Sequence, residues 1–135
     1  SDRQVTGAIR ALAPAPAGAL KIVACHHPLV EMIGGPMSGQ VHGGHDAALA
    51  LSNARIDLVL TGHVHAPFAL PYPGGDGHTW AVGASTLSVR ERGSPIGFNC
   101  IEVEADIVRV TALGWTGSHF EPWRTWSINR RPHAL

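Results

Sequence analysis

Cysteine is scarce in this sequence: Cys25 and Cys100 are the only two in 135 residues. That is too few for a disulfide scaffold, and both stand in apolar runs, so they read as small buried hydrophobes. A surplus of charge is lacking as well, because ten Lys and Arg balance ten Asp and Glu. A generic binder of nucleic-acid polymers or membrane surfaces needs a basic excess, so neither class is expected. No apolar run reaches the roughly 18 residues of a membrane-spanning helix. The opening Ser-Asp-Arg-Gln has no charged-then-apolar signal. A cytoplasmic protein is the expectation from these absences. Internal repeats, low-complexity segments and dividing linkers are missing too, so residues 1–135 read as belonging to one domain. What is present is an apolar fraction of 44%, which suits a globular core, and nine histidines, almost as many as the acids.

Along the chain, residues 2–12 carry Val5, Ile9 and Leu12 at helical spacing, and the Pro-Ala-Pro-Ala-Gly of residues 14–18 stops that helix. Residues 20–25 are short, apolar and rich in β-formers, and predict a buried strand that ends at His26-His27-Pro28. Residues 32–44 contain five glycines and a proline and predict a long loop, of the kind that is often functional. Residues 46–54 predict a short helix with Asp46 near its positive end. Residues 56–60 predict a second buried strand, ending at Thr61-Gly62-His63-Val64-His65. Strand, loop, helix and strand together have the length of a βαβ unit with a parallel pair. Ligands gather beyond the carboxyl ends of parallel strands, so both histidine clusters are expected on one sheet edge.

The second half changes character. Residues 67–73 lead into the turn Gly74-Gly75-Asp76-Gly77. Residues 79–82 and 87–90 predict short strands flanking Gly83-Ala84-Ser85. Residues 96–103 and 107–113 alternate apolar and polar around Glu104-Ala105-Asp106, which predicts a β-hairpin with one half-exposed face. From Trp115 on there is no clear periodicity. The fold class is therefore α/β, with a mixed sheet and a C-terminal β-hairpin region.

The chemistry concentrates in the histidines. In Gly62-His63-Val64-His65 two rings one residue apart point to opposite sides of an extended backbone. They can share one metal ion only from a bent loop, for which Gly62 supplies freedom, or serve two ions from a straight one. Neutral imidazole is a common metal ligand near pH 7. His26-His27-Pro28 places two more rings where its strand stops, with Pro28 restricting His27. A shared metal site follows from the topology.

A strand ending in His-His-Pro, a loop and helix, and a strand ending in Gly-His-Val-His, with 37 residues from His26 to His63, resembles the C-terminal half of a calcineurin-like metallophosphoesterase. The bacterial branch that includes cyclic-nucleotide phosphodiesterases is the most similar. The resemblance implies half of a four-layer α/β/β/α sandwich around a dinuclear centre. It implies that His26 and His63 bind one ion, that His65 binds the other, and that His27 is their neighbour. It implies hydrolysis of a small phosphoester, possibly a cyclic nucleotide, with two ions of Mn, Fe or Zn per complete domain. The family's N-terminal Asp-x-His, Gly-Asp and Gly-Asn-His-Asp/Glu motifs are absent. They would supply the bridging carboxylate, for which Asp46 and Asp57 are poor substitutes. The chain is thus expected to be a portion of the domain. Its missing N-terminal half, or a partner chain, would cover an exposed sheet face and edge.

His42 and His45, in the glycine-rich loop, would overhang this site as lining residues, or stand solvated. Ser85 and Thr86 would line it or make turns. Arg90 and Arg92 could meet a phosphate or form a surface pair. His78 is expected to face solvent, and His119 and His133 to be incidental. Trp115, Trp123 and Trp126 read as tail packing. Two rival readings stay open. One is a mononuclear zinc hydrolase ligated by His26, His63 and His65, and the other is a non-catalytic interaction module.

Overall fold

The computed structural model describes residues 1–39, 41–89 and 93–132. The helical spacing of Val5, Ile9 and Leu12 becomes α1 (Asp2–Leu12), and those three side chains pack against the first of two cores. The chain then passes through β1 (Ile22–Ala24), α2 (Gly44–Asn53), β2 (Leu58–Thr61), β3 (Phe68–Pro71), β4 (Trp80–Gly83), β5 (Gly97–Val103), β6 (Ile107–Trp115) and β7 (Phe120–Asn129). A four-stranded sheet has the order β1-β2-β4-β3, and a three-stranded sheet the order β5-β6-β7. In the first sheet β1 pairs with β2 and β2 with β4 in parallel, while β3 runs antiparallel to β4. The second sheet is antiparallel throughout.

Successive side chains of a strand face opposite ways, and β2 uses both faces. Val59 joins Leu51, Ala48, Phe68 and Ala81 in a core under the two helices. Leu58 joins Ala69, Val82, Val108, Val110 and Ile128 in a second core between the sheets. The described residues therefore form helices on a mixed sheet on an antiparallel sheet, with α1 and α2 covering one face of the mixed sheet. The full burial of Leu58 and Val59 follows: a strand between two layers is apolar on both sides. The outer face of the second sheet stays open and carries Phe98, Trp115 and Phe120, with Phe120 5.1 Å from Phe98 and 5.0 Å from Trp115 between ring centroids. No helix among the described residues is long and apolar enough to cross a membrane.

Several expectations are corrected. Residues 84–89 form no strand: strands need a continuous ladder partner, and this stretch instead makes isolated hydrogen bonds, from the Ser88 amide to Thr86 Oγ1 at 3.0 Å, from Ser85 Oγ to the Pro95 carbonyl at 2.6 Å and from the Gly97 amide to the Thr86 carbonyl at 2.9 Å. The tail contains β7, a ten-residue strand that was illegible because its side chains are exposed almost throughout and so show no alternation. The hairpin is the first two strands of a three-stranded sheet. Cys100 is exposed on the outer face of β5, and Cys25 is half-buried just past β1. His78 is half-buried with its Nδ1 shielded from solvent. Arg90, Arg92 and His133 lie outside the described residues.

The amino edge of the mixed sheet is held by a charge network that sequence reasoning missed. Arg131, 8% exposed, donates to the Arg55 carbonyl at 2.9 Å, to Asp57 at 3.4 Å, and to Asp76 with an ion-pair distance of 3.0 Å. Asp57 also accepts the Lys21 amide at 2.8 Å, which ties β1 to β2 at their start. Burial by itself would raise the Asp76 carboxyl, but the His78 amide and the Arg131 guanidinium hold it below the ordinary carboxylate value.

Candidate metal centre

The main-chain ladder that pairs Ala24 with Leu60 runs on past both strands. The Cys25 amide donates to the Leu60 carbonyl at 2.9 Å, and the Gly62 amide to the His26 carbonyl at 3.0 Å. The two histidine motifs therefore leave the same edge side by side, as the parallel topology requires. Ring centroids lie 4.7 Å apart for His26 and His27, 5.4 Å for His26 and His63, and 4.3 Å for His27 and His63. One ligand nitrogen from each of these three rings lies within 4.8 Å of the others. Donors on a tetrahedral zinc ion, at about 2.0–2.1 Å from the metal, stand roughly 3.3 Å apart. The three nitrogens are thus gathered within a span of the same order as that set. Among the described residues the group holds imidazoles alone, with no carboxylate.

The turn that delivers His63 is strained. His63 has φ 66° and His65 φ 58°, both left-handed, whereas Gly62 does not have positive φ. A Cβ added at Gly62 would meet only His26 atoms, at 3.8 Å. The bend expected from Gly62 is therefore made by the histidines themselves. The Val64 amide donates back to the Gly62 carbonyl at 2.7 Å, closing a three-residue turn around His63 in the rarer sense of such turns. Left-handed φ costs an L-residue about 1–2 kcal/mol, and it persists where the surroundings over-determine it. Here Val64, 5% exposed, is anchored in the core between the two half-buried rings.

On the other side, Pro28 is buried and His26 and His27 are exposed. α2 closes in on this segment because its first residue is glycine: a Cβ at Gly44 would stand 1.8 Å from the Leu29 carbonyl oxygen. Cys25, the residue before His26, is not one of the gathered ligands. Burial pushes its thiol up, and Sγ donates to the His27 carbonyl at 3.4 Å. Tyr72 in the same core is likewise pushed up by burial and by Cys25.

The structure thus brings together His26, His27 and His63. His65 leaves the same turn but is not in the three-ring group. His42 and His45 border a cavity of about 450 Å³ bounded by residues 41–46, which none of those three rings lines. Ser85 and Thr86 use their hydroxyls in the hydrogen bonds described above, to the Pro95 carbonyl and from the Ser88 amide. His119 sits at the β6–β7 turn, hydrogen-bonded to Glu121 at 3.2 Å. Of the tail tryptophans, Trp126 packs against the inter-sheet core, while the Arg124 guanidinium lies 4.6 Å from the Trp123 ring centre. His27, expected as a neighbour of the ligands, offers a ring nitrogen to the same group as His26 and His63.

No protein-family model matches the chain, and no curated protein matches it in sequence. Among solved structures it is similar to GAP50, described as the anchor in the inner membrane complex of Plasmodium, with a TM-score of 0.67 at 15% identity over 96% of this chain and 42% of that one. The present chain thus spans less than half the length of that relative. It is also similar to a conserved uncharacterised protein of Streptococcus pneumoniae described as a predicted phosphoesterase, with a TM-score of 0.45 at 17% identity over 59% of this chain and 44% of that one. A single mutant of Vps29 from Entamoeba histolytica follows, at 0.42 and 12% identity over 64% of this chain and 47% of that one.

Proposed function

We propose that this chain carries the C-terminal metal-binding portion of a phosphoester hydrolase of the calcineurin-like superfamily. The observation that supports this reading is the convergence of rings from both strand-end motifs, with ligand nitrogens of His26, His27 and His63 within 4.8 Å of one another. The strained turn at His63 supports it too: His63 and His65, on either side of the buried Val64, both carry left-handed φ, and strain that the core holds in place points toward function. In this reading His26 and His63 hold one ion, with His27 beside them, and His65 serves a second. Three neutral imidazoles suit Mn, Fe or Zn. When bound, such ions lower the pKa of water and clamp phosphate oxygens. The chain's own part is to fix the rings: the His26 carbonyl is pinned by the Gly62 amide, and His63 by the Val64 anchor.

The substrate class is a small phosphoester, and a cyclic nucleotide is the narrower form of the proposal. The bridging carboxylate and remaining ligands would come from an N-terminal segment completing a four-layer sandwich. The edge of β1, where Ile22 is exposed, is where such a segment would pair. A second reading rests on the all-imidazole group: a mononuclear site with water at an open position.

Metal counting on the complete protein separates the two readings, at two ions or one. Hydrolysis of bis-p-nitrophenyl phosphate with Mn²⁺ tests the activity, and His63→Ala is expected to lower it at least about 100-fold. Undiminished turnover by His63→Ala would sink the ligand assignment. If His26→Ala alters stability or binding while the wild type hydrolyses nothing, the chain is an interaction module.

A further inference from the structure

We propose that the cavity at the amino edge of the mixed sheet binds a small multivalent oxyanion of the phosphate class, held by Lys21 and Arg55. The cavity measures about 270 Å³ and lies between the α1–β1 connection and the tail after β7. It sits at the opposite end of β1 and β2 from the three histidines, so it is independent of the metal centre. Among the described residues, Lys21, Arg55, Arg130 and Arg131 line it, against a single lining carboxylate, Asp57. In a chain whose charges balance overall, gathering four of its ten cations on one cavity is a local surplus.

The four cations play different parts. Arg131 is neutralised by Asp57 and Asp76. Arg130 is a clamp on carbonyls, donating to Gly18 at 2.6 Å and Glu104 at 3.0 Å, and so fixes the two walls relative to each other. The Lys21 ammonium and the Arg55 guanidinium have no hydrogen bond or ion pair among the described residues. Arg55 is set there by a left-handed φ of 60°, and its carbonyl is held by Arg131 at 2.9 Å. With Asp76 counted, four positive charges meet two negative ones among the described residues, a surplus of two. A phosphate group carries about −1.5 to −2 at neutral pH and matches that surplus, whereas a monocarboxylate leaves it half unmet. A guanidinium fork and an ammonium point charge are the usual partners of phosphate oxygens. The volume falls just under the roughly 300–1,000 Å³ of drug-sized sites, which fits a phosphate group with little attached.

The test is calorimetric titration of inorganic phosphate into the chain, with chelator present and ionic strength fixed. Saturable one-to-one binding is expected, with acetate binding far more weakly. Lys21→Gln and Arg55→Gln are each expected to weaken phosphate about tenfold. Both side chains lack partners among the described residues, so each variant should keep the wild-type unfolding midpoint. His63→Ala, at the other edge, should bind phosphate as the wild type does. No saturation up to about 10 mM phosphate, wild-type affinity in both Gln variants, equal affinity for acetate, or loss of binding in His63→Ala would each overturn the proposal.

Discussion

The two ends of β1 and β2 are built on opposite principles. At the amino edge, opposite charges meet around one buried cation: Arg131 meets Asp57, Asp76 and two oxygens from Arg55 and Thr79, and Asp57 also accepts the Lys21 amide. At the carboxyl edge, three like groups, His26, His27 and His63, are gathered in one patch, with His63 on a turn that has two left-handed residues. Clustered imidazoles attract one another little and repel when protonated. The amino edge is what a fold needs. The carboxyl edge holds two left-handed histidines on one turn, where the amino edge has a single left-handed residue, Arg55, just past the end of α2, and strain concentrated in this way points toward function.

Breaking the amino edge should have the largest effect. Arg131→Leu leaves the carboxylates of Asp57 and Asp76 without their guanidinium, and Asp57 is 14% exposed in its side chain. A loss of about 3–5 kcal/mol is expected in urea unfolding, and the double variant with Asp57→Leu should recover much of it. A loss below about 1 kcal/mol would mean that the edge is only a surface ion pair.

The gathered end should respond the other way. His63→Gly is expected to lower affinity for Co²⁺, followed by its visible absorption, at least about 100-fold. Stability in the same variant should hold or rise by up to about 1 kcal/mol, because glycine adopts the left-handed φ without steric cost. A destabilisation equal to that of Arg131→Leu would erase the distinction between the edges.

Acid titration sharpens the comparison further. The Asp76 carboxyl is held below its ordinary 3.8 in the fold. The unfolded chain therefore takes up this proton first as pH falls, and the contribution is present above that value and lost below it. Asp76→Asn should remove part of the acid sensitivity below about pH 4 and leave a constant offset from about pH 5 to 8, read from thermal midpoints. A difference that grows toward alkaline pH would contradict the sign.

The smallest expected effect is at Gly62. Its φ is not positive and a Cβ there meets ordinary contacts at 3.8 Å, so Gly62→Ala should change stability by less than about 0.5 kcal/mol. A loss of 2 kcal/mol or more would restore Gly62 as the pivot of the turn.

The sequence by itself determined the elements whose side chains repeat on a face. Val5, Ile9 and Leu12 marked α1 to its ends, the two apolar runs marked β1 and β2, and the alternation in β6 marked a half-buried strand. It also determined that two histidine motifs leave one sheet edge, because parallel strands joined by a helix allow no other arrangement. Three-dimensional packing decided the rest. β7 exists because β6 offers it a ladder, a main-chain interaction that leaves no pattern in exposed side chains. His27 joined His26 and His63 because neighbouring rings of two different strand ends meet only in space. The charge network of Arg131 spans 74 residues to Asp57 and 55 to Asp76, and no local pattern carries information over such separations.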